Sequence, residues 1–444
     1  MKKILLTFFL MLTLALSVQA NATKKDFSSI INESKVDKNS ISISIKNTNS
    51  KKTLYALNDK TLMNPASVQK LLTTPVIYET LGSDYSFTTS LYKRGENCYL
   101  IKLGADPYLK SDDLKSFVKL MDPNTQRIFI DDSALDTKYW GEGWQWDDDM
   151  NILMPKFSSY NLDKNLIKLT IIPPEDQEFA TILNPSKYPL VFFNHITYGE
   201  TTSLKVDRDN SISNNTLILS GTVSHPTVVY IPSNDLQKYF KFRLKKLLEA
   251  RNMYIRHAFI PNKLQENDIL VQEIKHDIDL GVDDILKNSN NLVSETLFKL
   301  AGAKHLNIET GSDSAGIKMF NDYCEKNNLD NSRVRITDAS GVSKNNLVST
   351  DFITSFLNLN KDNPLMDKLP SPGEGTLAER MIPLKDNLKA KTGTLSDLSS
   401  IAGYLTTKSG KKISFCIIIN DIKLSDSDKK MLEDFILREA YLRL

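Results

Sequence analysis

At 444 residues the chain is too long for one compact domain, and roughly 150 residues per domain makes two or three the expectation. It is 41% apolar and 25% charged, with 17 Gly and 16 Pro, which excludes a collagen-like or mostly disordered polymer. Lys+Arg number 56 against 54 Asp+Glu, so there is no basic excess of the kind that displaces counterions from a nucleic acid.

The first elements are processing signals. Lys2 and Lys3 precede the apolar run from Ile4 to Leu16, and Val18-Gln19-Ala20 puts small residues at −3 and −1. Residues 1–20 therefore read as a secretory signal peptide, the alternative being an uncleaved N-terminal anchor. A membrane span needs about 20 apolar residues, more than this core has. Asn21 follows, leaving no cysteine there for a lipid anchor. The longest later apolar run, Ile413 to Ile419, is strand-sized. An exported, periplasmic or cell-envelope protein without a transmembrane span in its mature part is expected. Cys98, Cys324 and Cys416 are odd in number and far apart, which is no disulfide framework.

Ser40 to Asn47 alternates as a period-two strand with one apolar face, and Thr53–Leu57 reads as its hairpin partner. Asn64-Pro65-Ala66-Ser67 starts a helix, with Asn64 as cap and Pro65 in the first turn, running to about Leu81 before Gly82. From about 90 to 275 short strands recur (Tyr99–Leu103, Arg127–Asp131, Leu166–Ile172, Thr216–Ser220, Val228–Ile231), interrupted by one helix through Leu236, Phe240, Leu244 and Leu248. Helices return from about 281, on either side of Asn288-Ser289-Asn290-Asn291. Strands at Leu398–Thr406 and Lys412–Asn420 precede a last helix capped by Ser425 and Asp428. The two ends share a texture that the middle lacks. The pattern predicts an α/β domain split in sequence, 21–90 and 276–444, by a β-rich insertion at 91–275 of one or two subdomains.

Metal and cofactor signatures are missing. His195, His225, His257, His276 and His305 show no HExxH or HxH spacing, and no CxxC, GxGxxG, P-loop or GxSxG occurs. A Ser-His-Asp triad stays open, because its members need not be sequence neighbours. Three other elements stand in order: Ser67-Val68-Gln69-Lys70, Ser289-Asn290-Asn291 and Lys391-Thr392-Gly393. They match the set used by active-site serine penicillin-recognising enzymes. Ser116–Lys119, Ser409–Lys412 and Ser427–Lys430 also match S-x-x-K, but only Ser67 follows a cap and proline at a helix start.

In a first helical turn the Ser67 N–H has no helical partner and faces a positive dipole, so it can hold an oxyanion. Lys70 lies on the same face. It can act as a base once burial and a second cation, for which Lys391 is the candidate, lower its pKa. Ser289 can relay a proton to a leaving amine, and the Asn291 amide can orient Lys70 and the substrate. Lys391 and Thr392, on an edge strand, can bind a carboxylate. Gly393 admits close approach, and the Thr394 N–H can complete the oxyanion hole.

With these motifs the chain resembles the low-molecular-mass class C penicillin-binding proteins, the D-alanyl-D-alanine carboxypeptidase/endopeptidase family. Asn64 to Thr74 is similar to the family's nucleophile helix. Leu103-Gly104-Ala105-Asp106-Pro107, Gly143-Trp144-Gln145-Trp146-Asp147-Asp148, Asp338-Ala339-Ser340-Gly341-Val342-Ser343 and Gly375-Thr376-Leu377 resemble further family segments. The resemblance implies a transpeptidase/β-lactamase-like α/β/α sandwich with insertions between the first and second elements. It also implies cleavage of D-Ala-D-Ala ends and cross-links in peptidoglycan peptides, with β-lactams acylating Ser67. Asn290 stands where Asp is common, and Ala105 and Ala339 where Gly is often seen. Asp147-Asp148-Asp149 reads as a solvated turn packing against Trp144 and Trp146. Two alternatives are a β-lactamase, for which no Glu-x-x-Leu-Asn segment is present, and a non-catalytic wall-binding or penicillin-sensing protein.

Overall fold

The computed structural model describes residues 27–255 and 257–444, so the signal-peptide reading of residues 1–20 lies outside the described residues. Helix α1 (Phe27–Glu33) leads to β1 (Ile41–Asn47) and its hairpin partner β2 (Thr53–Leu57). The alternation in β1 suggests a single apolar face, yet both faces are buried. Ile41, Ile43 and Ile45 pack with Leu432 and Ile436, while Ser42 and Ser44 place their hydroxyls 2.8 Å from those of Thr350 and Thr354. Buried hydroxyls need partners, and here each finds one across a strand–helix seam. Helix α2 (Lys70–Leu81) is buried on nearly all sides and ends at Gly82, whose φ of +85° suits a residue without a Cβ.

The chain then leaves this layer through β3 (Ser86–Lys93), β4 (Cys98–Lys102), α3 (Leu114–Leu120) and β5 (Arg127–Asp131). After an irregular stretch come β6 (Leu166–Ile172), β7 (Thr181–Leu183), β8 (Val191–Tyr198), β9 (Ser203–Arg208), β10 (Thr216–Val223) and β11 (Thr227–Pro232). Helix α4 (Leu236–Glu249), β12 (His257–Pro261) and β13 (Ile269–Asp277) follow. The strands form sheets ordered β12-β5-β4-β3-β13, β11-β6-β7 and β8-β10-β9, around one apolar core from Leu91 to Met253. Strands β3 and β13 carry the chain out and back, paired antiparallel from Ser86↔Asp277 to Lys93↔Ile269.

Helices α5 (Ile278–Asn288), α6 (Asn291–Leu306) and α7 (Asp313–Lys326) come next. A short ribbon, β14 (Val334–Arg335) with β15 (Leu347–Val348), precedes α8 (Thr350–Leu359). Strands β16 (Leu388–Leu395), β17 (Leu398–Thr406) and β18 (Lys412–Ile419) and helix α9 (Asp426–Arg443) complete the chain. The main sheet is antiparallel throughout, in the order β16-β17-β18-β1-β2. Helices α1 and α9 cover one face, and α2 with α5 to α8 the other. This is an α/β/α sandwich whose sequence is interrupted by a β-rich part. Trp144, Met154 and Phe157, from the stretch between β5 and β6, pack on Leu292 and Val342 of the sandwich.

Candidate active site

Ser67 does not sit in the α-helix. It lies in a tight 3-10 turn, Ala66–Gln69, with Pro65 just outside at the N-cap position. Asn64 Oδ1 accepts from the Ala66 N–H at 2.8 Å and its amide donates to Ser343 O at 2.9 Å, so it ties this turn to the Ser340–Ser343 loop. Ala66 has a φ of +45°, a strained value for a residue with a Cβ. The Ser67 N–H has no backbone acceptor among the described residues.

Lys70, the first residue of α2, is fully buried. Its ammonium donates to Ser67 Oγ at 2.9 Å, Asn291 Oδ1 at 2.6 Å and Ser340 O at 2.6 Å. Burial lowers its pKa to about 7, against the opposing pull of Asp338 and Glu295. The expected role of Lys391 as the second cation is thereby corrected. Burial, then the charge of Lys70, pushes Lys391 well below the usual lysine range. Lys391 Nζ bonds to Ser289 Oγ at 2.9 Å and Thr392 O at 2.7 Å. Ser289 takes the left-handed conformation (φ +61°) between α5 and α6. The Asn291 amide donates to Leu153 O at 2.9 Å, a contact from the interrupting part of the chain. Asn290 turns away from the cleft: it caps α6 through Val293 N and donates to Asp284.

A buried clamp that sequence reasoning missed holds the loop facing Lys70. Asp338 accepts from Trp144 Nε1 (2.8 Å), Gly341 N (2.8 Å), Ser343 N (2.6 Å) and Asn346 Nδ2 (2.8 Å). Glu295, on α6, accepts from Ala339 N and Ser340 N, and burial followed by the nearby Asp338 pushes its pKa up. The segment Asp338–Ser343 had been singled out as a motif, but no spacing rule pairs it with Glu295 or Trp144.

Strand β16 is the sheet edge beside this turn, and Lys391, Thr392, Gly393 and Thr394 all lie on it. A cleft of about 490 Å3 is lined by Ser67, Ser289, Asn291, Thr392 and Thr394, with Asp148 and Leu153 on its far wall. The structure thus gathers Ser67, Lys70, Ser289, Asn291 and the β16 residues at one place. The acidic run differs from expectation. Trp146 is 88% exposed, Asp149 pairs with Arg208 at 3.1 Å, and Asp148 faces the cleft, because only Trp144 has a buried acceptor to anchor it. His276 bonds the buried Asp106 at 2.6 Å. Ala105, in the Gly position of the resemblance, has a φ of +55°.

Residues 23–438 match the model of the D-Ala-D-Ala carboxypeptidase 3 (S13) family. The chain belongs to that family. D-Ala-D-Ala carboxypeptidase chemistry is accordingly its class of hydrolysis. This S13 carboxypeptidase is similar to D-alanyl-D-alanine carboxypeptidase DacB of Haemophilus influenzae, 22% identical over 452 residues covering 96% of this chain and 93% of that one. It is 24% identical to the D-alanyl-D-alanine carboxypeptidase of an Actinomadura species over 409 residues, 83% of this chain and 75% of that one. The crystal structure of penicillin binding protein 4 (dacB) from H. influenzae has the same fold, with a TM-score of 0.82 at 21% identity, covering 94% of this chain and 100% of that one.

In this S13 carboxypeptidase the seam between β16 and the serine turn is closely packed. A Cβ on Gly393 would stand 2.8 Å from Ser67 N and 2.5 Å from Ser400 Oγ. Gly393→Ala must therefore push β16 off the turn. We expect it to lower kcat/KM for D-Ala release by about 10²-fold, since angstrom-scale misplacement of reacting groups costs on that order. A steady-state assay checks this, with thermal unfolding as the control for global stability.

Proposed function

We propose that the chain is an exported serine-type D-Ala-D-Ala carboxypeptidase and endopeptidase, acting on peptidoglycan stem peptides and their cross-links in the periplasm or cell envelope. It works through an acyl-serine, and penicillins acylate it at Ser67. The catalytic residues are Ser67, Lys70, Ser289, Asn291 and Lys391, and Thr392, Gly393 and Thr394 bind substrate. They belong to a catalytic domain of 21–90 and 276–444, with 91–275 as the insertion. The observation that carries the reading is the buried Lys70 ammonium 2.9 Å from Ser67 Oγ, its pKa lowered to about 7. A β-lactam complex of the H. influenzae penicillin binding protein 4, whose chain has a TM-score of 0.74 to this one, agrees with it. Among the described residues no helix is long and apolar enough to cross a membrane.

In this mechanism Ser67 Oγ attacks the carbonyl carbon of the penultimate D-Ala while its proton passes to neutral Lys70 Nζ. The free Ser67 N–H and the Thr394 N–H stabilise the oxyanion. The C–N bond breaks and the leaving nitrogen takes a proton from the Lys70–Ser289 side. Water then cleaves the ester and returns a proton to Ser67. The substrate carboxylate lies against Lys391 and Thr392, and its negative charge favours the protonated form of Lys391.

The sign of the pH dependence follows. The neutral amine of Lys70 accumulates as pH rises through about 7, so the acylation rate should climb across that range and level off above it. Stopped-flow acylation by a chromogenic β-lactam from pH 5 to 9 checks this; a flat profile would remove Lys70 as the base. The reading as a whole is tested by intact-mass spectrometry with benzylpenicillin. A stable single adduct mapping to the Ser67 peptide is expected. No adduct with intact drug would overturn the catalytic reading, and no adduct with hydrolysed drug would make the protein a β-lactamase.

A further inference from the structure

A second cavity, of about 690 Å3, opens beside the catalytic cleft. Asn288 lines both, and the consecutive residues Gly375 and Thr376 line one each. The Gly375 turn presses on the end of α5: a Cβ there would stand 2.4 Å from Lys287 O. The remaining walls come from Tyr108, Lys110, Asp163 and Lys164 on one side and α5 on the other.

The carboxylates of this cavity are all engaged by the protein itself. Asp163 accepts from Ser111 N at 2.8 Å, from Ser111 Oγ and from Tyr239 OH at 3.0 Å. Asp284 accepts from Tyr108 OH, Asn288 Nδ2 and Asn290 Nδ2. Asp283 is 2.8 Å from Lys368 and 3.5 Å from Lys287. Lys110 and Lys164 are different. Both are exposed, and neither side chain makes a hydrogen bond or salt bridge among the described residues. Asp112, whose pKa Lys110 helps to lower, is already bonded to Lys115 at 2.7 Å. The cavity therefore offers two free ammonium groups and no free carboxylate, which is the electrostatic complement of an acidic ligand.

Position says which ligand. Under the acyl-serine reading, on which this inference rests, the leaving nitrogen receives its proton at Ser289. With the leaving residue's carboxylate held by Lys391 and Thr392, the rest of a longer leaving group has a path past Asn288, the neighbour of Ser289 that lines both cavities, into the second one. A departing D-Ala is too short to reach it. The departing half of a cross-link is a whole peptide bearing carboxylates. We infer that this cavity is the leaving-peptide subsite for cross-link cleavage, where Lys110 and Lys164 receive the carboxylates of the acceptor stem.

The test compares the wild type with Lys110→Glu/Lys164→Glu on two substrates, a synthetic cross-linked dimer of stem peptides and an N-acylated peptide ending in D-Ala-D-Ala. We expect kcat/KM on the dimer to fall about tenfold, the scale of two reversed surface charge pairs, and the loss to shrink at high salt. D-Ala release and the rate of benzylpenicillin acylation should stay within about twofold of wild type, which also shows that the variant is folded. Should the double reversal not fold, Lys110→Gln/Lys164→Gln is expected to show the same selective loss at roughly half the size on a logarithmic scale. Unchanged dimer cleavage, or equal losses on both substrates, would overturn the subsite while leaving the acyl-serine reading standing. So would a wild type that releases D-Ala but leaves the dimer intact. Absence of both penicillin adduct and D-Ala release in the wild type would instead overturn the reading beneath it.

Discussion

Replacing Ser67 by alanine is expected to lower D-Ala release by roughly 10⁵- to 10⁶-fold and to abolish the benzylpenicillin adduct. The loss is this large because in the proposed mechanism Ser67 Oγ forms the covalent bond; binding and the oxyanion donors alone leave only a small residue of catalysis. The fold should barely register the change. Ser67 is half-buried, and among side chains its hydroxyl touches only the Lys70 ammonium. The turn is held by other bonds, from Asn64 Oδ1 to Ala66 N and from Ser400 Oγ to Pro65 O. Lys70 keeps its bonds to Asn291 and Ser340. Stability should therefore stay within ~1 kcal/mol of wild type. D-Ala release, intact mass and a urea titration on the same preparation separate the two effects. A residual adduct on the variant would place the nucleophile elsewhere.

Asp338→Ala should do the opposite, damaging the fold first and the chemistry through it. Asp338 is buried, and its loss orphans the indole N–H of Trp144 and the backbone N–H groups of Gly341 and Ser343, and leaves the Asn346 amide with only Ser343 O as acceptor. Each buried donor left without a partner costs about 1–3 kcal/mol, and because neighbouring losses are not additive the total should be about 3–5 kcal/mol. The loop that would relax carries Ser340 O, which with Asn291 Oδ1 is one of the two groups aiming Lys70 at Ser67. Acylation by penicillin should fall by about 10²-fold in whatever fraction remains folded. Asp338→Asn should rescue little, since its amide NH₂ would meet N–H donors rather than acceptors. Urea midpoints followed by tryptophan fluorescence check the stability. A shift under ~1 kcal/mol would show that this carboxylate is not what holds the loop.

The proposed reacting groups could be picked out of the sequence because their pattern is local. A nucleophile and its base three residues apart, or a lysine beside a glycine on an edge strand, leave a pattern in a short window. The supporting groups leave none. Ser340 and Leu153 contribute carbonyls, which every residue has, and Glu295 meets Ala339 and Ser340 only through the tertiary fold. The charge logic was misread for a related reason. Two lysines in one cleft suggest mutual repulsion, but both are fully buried, and it is the carboxylates of Asp338 and Glu295, distant in sequence, that hold the Lys70 pKa up against that burial. In the fold, β17 and β18 stood out as largely apolar stretches, whereas β8, mostly exposed along its length, did not. The serines of β1 read as solvent-facing because sequence cannot distinguish water from a neighbouring hydroxyl.

The order of the main sheet has a consequence for the birth of the molecule. β1, near the start of the chain, is an interior strand, and its neighbour on one side is β18, joined from Ile41↔Ile419 to Asn47↔Ile413. The serine turn rests against β16, which reaches β1 only through β17 and β18. Pairing across such a separation carries a high loop-closure cost and comes late on the folding path. A partly synthesised chain holds Ser67 and Lys70 but no edge strand beside them. The serine turn therefore stays without its neighbouring strand until β16 to β18 have been made and paired with β1.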